Sequence, residues 1–251
     1  MPTIASYAAQ QQRNADLIRS SKYMRRKVTS KVVDARLDIT AAELTYQQVA
    51  LQEALQIEAA RTAISSLASL ATIGELDHLG GGLDLLPALM MTLSVTDYEK
   101  VHYTVEHAHT SIGYYGALAA LGFLDTKHVI KTFRRGLDIA GHVSWVPGGT
   151  ELNGGRLGVM VPAAVGQAVG VKAIHGAGSW VICHCGDAGW ISGQALNGFN
   201  GADLQKAPVH GDGLHDVISG DADNAGEHIG PVGVFVFAKI VQCKFGVEVK
   251  H

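Results

Sequence analysis

Trp180-Val181-Ile182-Cys183-His184-Cys185-Gly186-Asp187-Ala188-Gly189-Trp190 is an apolar run that stops at a Gly-Asp pair. The run reads as a buried strand. A strand ending in Gly-Asp brings bare backbone and one carboxylate to the carboxyl edge of a parallel sheet, where open α/β sheets bind ligands. Glycine lets a phosphate come close, and Asp187 offers a hard oxygen for Mg²⁺ or Ca²⁺. The same pair also suits an ordinary strand-to-turn with a solvated carboxylate, so the flanking sequence has to decide. Cys183-His184-Cys185 lacks the Cys-x-x-Cys spacing of a zinc site and lies inside the apolar run, which points to a core strand.

Immediately upstream, Asn153-Gly154-Gly155-Arg156-Leu157-Gly158 feeds an apolar helix running to about Lys172. A glycine-rich turn at a helix N-terminus suits a diphosphate, because free N–H groups and the helix dipole point the same way. Pro162 falls some way inside that helix and is expected to bend it. Further back come Gly141-His142 in an irregular stretch, an amphipathic basic segment from Lys127 to Leu137, and an apolar helix from Ile112 to Leu124. Tyr103 leads into Val105-Glu106-His107-Ala108-His109-Thr110. Gly74-Glu75-Leu76-Asp77-His78-Leu79-Gly80-Gly81-Gly82 ends one helix, and Leu83 to Leu93 resumes as another, with Pro87 near its start. From about Ala41 to Ile73 the pattern is helical. Thr40 and Glu43 have capping-box spacing. Leu44, Leu51, Leu55, Ile64, Leu67 and Leu70 are the expected apolar stripe, and a break is expected near Glu58–Arg61. Residues 1–40 are polar and mostly basic, a solvated helix or a subunit-contact arm. Downstream, Ser192 to Asp203 is a weak helix, and Pro231 to Val241 reads as a final buried strand.

Composition sets the outer bounds. The chain has 251 residues, 47% of them hydrophobic, enough to bury a full core. A net charge of −3 gives no electrostatic case for nucleic acid. No apolar run approaches the ~18–20 residues that span a bilayer. No charged-then-apolar signal segment opens the chain. Three cysteines, an odd number, argue against a disulfide framework and for a reducing compartment, so the expected location is cytoplasmic.

Taken together, these segments resemble the diphosphate-binding domain of the transketolase family, the thiamine diphosphate enzymes. Asp77-His78-Leu79-Gly80-Gly81-Gly82 is similar to that family's first Gly-His-x-Gly-Gly turn. His109, with Tyr115, Leu118 and Leu121-Gly122-Phe123, resembles its second Gly-His segment and following helix. Gly141-His142 resembles its Gly-His-Pro, with Val143 in place of the proline, and Gly155-Arg156-Leu157-Gly158 its Gly-Ser-Leu-Gly turn. Val181 to Asp187 resembles the strand ending in Gly-Asp-Gly, and Pro231 through Val241 with Gly246-Val247 the last strand. Order and rough spacing match over residues 60–250. There are departures. Asp77, Ala108 and Ala188 stand where the family has glycine, and Ser192-Gly193 where it has Glu-Gly. The family's second metal-binding residue, an Asn on the next strand, has no counterpart. Valine occupies position 217, and Asn224 lies in a polar run. Asp212 to Ile218 resembles instead a later Asp-Gly-His-Asp segment, so the family's next strand, the longer segment that goes with it and the second metal ligand have no counterpart between Ala207 and His210.

The resemblance implies an α/β fold: a mostly parallel sheet flanked by helices, of the thiamine diphosphate-binding kind, over residues 56–251, with a polar, helical N-terminal extension over 1–55. It implies catalytic roles for His78, His109 and His142 at the thiazolium end and substrate channel. It implies cofactor contacts from His109, Gly155, Leu157, Gly158, Gly186, Asp187 and Ala188, with Asp187 binding the bridging Mg²⁺ or Ca²⁺. Histidines titrating near neutrality suit proton transfer at sugar oxygens. The implied activity is transfer of a two-carbon ketol unit from a ketose to an aldose, on sugar phosphates. The chain ends where that domain ends, which implies a C-terminal transketolase-like partner subunit, in a homodimer or dimer of heterodimers. Two alternatives stay open: a relative that decarboxylates a 2-oxo acid, and a non-catalytic structural subunit that has kept the fold and lost the metal.

Overall fold

The computed structural model describes residues 32–74, 81–136, 138–146, 148–175, 178–186, 192–195 and 234–237, and positions 16, 20, 189 and 197. His78, Asp187 and Ala188, the segment between Ala207 and His210, and Asp212 to Ile218 lie outside the described residues.

Helix α1 spans Tyr46–Ala71. The spacing S/T-x-x-E/Q occurs twice before it, and the second copy is the one used. Thr45 accepts from the Gln48 amide at 3.2 Å, and the Gln48 side chain accepts from the Thr45 amide at 2.9 Å. Thr40 is instead held in a turn by Asp38, whose carboxylate accepts from the Thr40 amide and hydroxyl. The expected break at Glu58–Arg61 is absent: those two side chains form an i,i+3 ion pair at 2.6 Å on an unbroken helix of 26 residues. The helix runs through the 55/56 position, and Leu55 and Ala59 on either side of it share one core. Its buried face is Gln52, Leu55, Ala59, Thr62, Ala63, Ser66, Leu67 and Leu70. Ile64, placed on the buried stripe from sequence, is 54% exposed. Small residues form the contact instead, for a reason given by the helix they meet.

Three short elements come next: α2 (Gly81–Asp84), α3 (Leu86–Val95), with Pro87 in its first turn, and strand β1 (Val101–Val105). A one-turn 3-10 helix, Ala108–Thr110, leads directly into α4 (Ser111–Ala120) and then α5 (Thr126–Thr132). Helix α4 crosses α1 closely, so that a Cβ on Gly116 would lie 2.7 Å from the Ala59 carbonyl oxygen. The facing residues must therefore be small, and periodicity in large apolar side chains misses them.

Strand β2 (Leu152–Asn153) precedes helix α6 (Met160–His175), then β3 (Trp180–His184) and β4 (Val234–Phe237). Pro162 is only the third residue of α6. An amide there has no intrahelical acceptor to lose, so the proline sits without the predicted need for a bend. The four strands form one parallel sheet in the order β2-β1-β3-β4. Register pairs Thr104 with Cys183 and Val105 with His184, and Ile182 with Phe235.

Side chains alternate across the sheet as the strand period requires. Val101, Tyr103, Val105 and Ile182 face the larger core, built with α1, α3 and α4. Val181, Cys183 and Cys185 face the other way, onto Val161, Ala164, Val165 and Ala168 of α6. The result is helix, sheet, helix, with α4 and α5 covering one connection and α6 the next.

Candidate functional site

Between β1 and β2 the chain moves outward on one side; between β2 and β3 it crosses back over β1. The strand order therefore reverses at the β1/β3 pair, and a doubly wound sheet opens its crevice outside the carboxyl ends of those two strands. The residues directly after Val105 and His184 are placed at that mouth.

Glu106 is the first of them on β1. Its amide continues the ladder, donating to the His184 carbonyl at 2.7 Å. Its side chain turns to the α6 face and is 1% exposed. The carboxylate accepts from the Gly158 amide at 2.5 Å through Oε1 and from the Gly186 amide at 3.2 Å through Oε2. The Cys185 thiol donates more weakly to Oε2, at 3.7 Å. A Cβ on Gly189 would overlap the carboxyl atoms, so only glycine leaves room for them. Gly158 takes a positive φ of 78° two residues before α6 begins, which turns its amide inward beside the positive end of that helix. Here lies an anion-binding point made by two separate loops, and the chain's own carboxylate fills it.

His107 directly follows Glu106, and His184 ends the neighbouring strand. His107 is buried, with Nδ1 2.7 Å from the Thr110 hydroxyl, and its Cβ packs 3.3 Å from where a Cβ on Gly186 would stand. Its ring stacks on His184, 6.2 Å between centroids, and meets His109 edge-on at 6.0 Å. Burial holds the His107 imidazole below the ordinary 6.5; the charge of His109 adds to this, while a backbone contact and Glu106 oppose it. His184 is fully buried, its Nε2 3.0 Å from the Thr92 hydroxyl and its Nδ1 3.3 Å from the Tyr103 hydroxyl. Burial, with the charge of His107, pushes it well below 6.5. Cys183, one residue back, is pushed up to about 12 by burial, with the Glu106 charge adding and the Thr104 hydroxyl opposing.

His109 is exposed on the 3-10 turn, and His142 is exposed on the loop after α5. That loop is tied to the same mouth: the Val143 amide donates to the Ala108 carbonyl at 2.8 Å, and the Ser111 hydroxyl to the Gly141 carbonyl at 2.7 Å. The Tyr115 hydroxyl donates to the His142 carbonyl at 3.0 Å. A Cβ on Gly155 would stand 3.3 Å from His142 Nδ1, so the two are neighbours. Leu157 is 53% exposed at the turn before α6. The fold thus brings His109, His142, Gly155, Gly158 and Gly186 to one edge of the sheet. Two of these, Gly158 and Gly186, meet on Glu106, which carries no role in the motif pattern. The signal for it is a charged residue directly after a short run of mostly β-branched and aromatic residues, Val101–Val105, a costly place for a carboxylate unless donors await it.

For an expected diphosphate, the donor chemistry at Gly158 and Gly186 fits: both amides aim at one anionic group. For a bridging divalent cation, the described residues hold no group of three or more His, Cys, Asp or Glu side chains that could bind it. Among the described residues no helix is long and apolar enough to cross a membrane. No known family model matches the chain, and no curated protein matches it either.

Proposed function

We propose that the chain has the thiamine diphosphate-binding fold and acts as the diphosphate-binding subunit of a transketolase-like enzyme. One observation carries the proposal: the Gly158 and Gly186 amides, from two loops the motif order pairs with a diphosphate, converge on a single anion at the β1/β3 switch point. In this proposal those amides hold the diphosphate, and Asp187, adjoining Gly186 in sequence, binds the Mg²⁺ or Ca²⁺. When bound, thiamine diphosphate supplies the electron sink for breaking and making a carbon–carbon bond beside a carbonyl. The chain's own exposed imidazoles, His109 and His142, orient the sugar phosphate and exchange protons with its hydroxyls, as does His78. A C-terminal transketolase-like subunit completes the site.

A second possibility has its own support. Glu106 already occupies the amides, and with Ala188 and Ser192 at two motif positions this favours a non-catalytic subunit that keeps the fold. Titration calorimetry with thiamine diphosphate and Mg²⁺, with and without a partner subunit, separates the two. The enzyme reading expects binding and ketol transfer from a ketose donor. Absence of heat under both conditions leaves the structural role, and turnover of pyruvate in place of the ketose would assign a 2-oxo acid decarboxylase.

A further inference from the structure

Buried carboxylates are ordinarily paired with a cation or a metal. Glu106 is 1% exposed, and its hydrogen-bond partners among the described residues are two backbone amides and a thiol. All three are donors, and none carries a formal positive charge to match its own. The geometry is that of an anion in a receptor rather than of an ion pair. The receptor has also been shaped to this one group. Gly189 has no room for a Cβ, which would overlap the carboxyl atoms, and a Cβ on Gly158 would overlap the Ser192 hydroxyl oxygen. A Cβ on Gly186 would stand 3.8 Å from Glu106 Oε2 and 3.3 Å from the His107 Cβ, and the Cys185 thiol lies 3.7 Å from the same oxygen.

We infer that Glu106 is the resident occupant of the anion site and sets its affinity: a phosphoryl group reaches the Gly158 and Gly186 amides only when the Glu106 carboxylate gives them up. The inference rests on the proposed diphosphate role of this edge. It adds a specificity determinant that the motif order does not contain. A native Glu106 opposes an incoming anion twice, by occupying its donors and by like charge. Removing the carboxylate leaves two inward-facing amides that a free anion can satisfy. Glu106→Gln removes the charge and keeps an acceptor on the amides; Glu106→Ala removes both.

The test uses the full chain and inorganic pyrophosphate alone. Calorimetry gives its Kd for the wild type, Glu106→Gln and Glu106→Ala, and glycine-selective ¹⁵N spectra report on the Gly158 and Gly186 amides. The expected result is binding at least about tenfold tighter in Glu106→Ala, the scale of one charge-assisted hydrogen bond. Glu106→Gln should fall between. Both glycine signals should move on titration, and pyrophosphate should raise the Tm of Glu106→Ala more than that of the wild type. Equal affinity in all three chains, or tighter binding that leaves both signals unmoved, overturns the inference. If Glu106→Ala does not fold, Glu106→Gln decides by the same comparison. A parallel titration with thiamine diphosphate and Mg²⁺ keeps the two ideas apart. A gain for pyrophosphate with no cofactor binding in any chain sinks the proposed function alone. Cofactor binding by the wild type with no gain in the variants sinks this inference alone.

Discussion

His184 and Cys183 are adjacent on the central strand and face opposite cores, and burial drives their ionisations in opposite directions. Both end up neutral in the fold. For His184 the folded imidazole titrates well below the ordinary 6.5, as does that of His107 to a lesser degree. Below pH 6.5 the unfolded chain therefore binds protons that the folded chain refuses, so stability falls as pH drops through that value. Urea unfolding at pH 7.5, 6.5 and 5.5 should show a declining midpoint across about that window, with a shallower decline in His184→Gln. A flat profile in the wild type would contradict the burial of these rings. The Cys183 thiol, raised to about 12, should resist a thiol reagent at pH 8 in the native chain and react once unfolded. Rapid native labelling mapped to Cys183 by mass spectrometry would contradict its placement.

At the scale of the element, two glycine environments give opposite expectations. Gly116 on α4 lies against the Ala59 backbone of α1, with 2.7 Å for an added Cβ. Gly116→Ala should destabilise by about 1–3 kcal/mol, since backbone rather than a flexible side chain must move. Gly166 on α6 has nothing within 4 Å of an added Cβ. Gly166→Ala should stabilise by roughly 0.5–1 kcal/mol through helix propensity and unfolded-state entropy. Chemical denaturation of the two variants side by side is the check; a Gly116→Ala chain as stable as the wild type or more so would mean the α1–α4 approach is looser than described. Thr45→Ala removes the N-cap of α1 and should cost about 1 kcal/mol, with Thr40→Ala nearly silent. The reverse ranking would return the helix start to Thr40.

At the scale of the whole molecule, α1 matters because residues before and after position 55 bury in one core with α4 and β1. That core holds the face of the sheet opposite α6, and β1 carries Glu106 to the mouth of the crevice. Much of this was legible in the chain itself. Short runs of β-branched and aromatic residues favour strands, so β3 and the strand at 234–237 follow from local pattern, as do the helices after each glycine-rich turn. Parallel pairing results from helices placed between strands. His109 and His142 were marked only by the resemblance in motif order, and the glycines of the α6 turn by that order together with their place before a helix. The strand order was not legible, because pairing partners are chosen by non-local packing and short sequence windows do not contain it. Nor was the close crossing of α1 and α4, which small residues make and large apolar periodicity hides. Glu106 belongs with these: one acidic residue after a strand means little until two amides, distant in sequence, are folded against its oxygens.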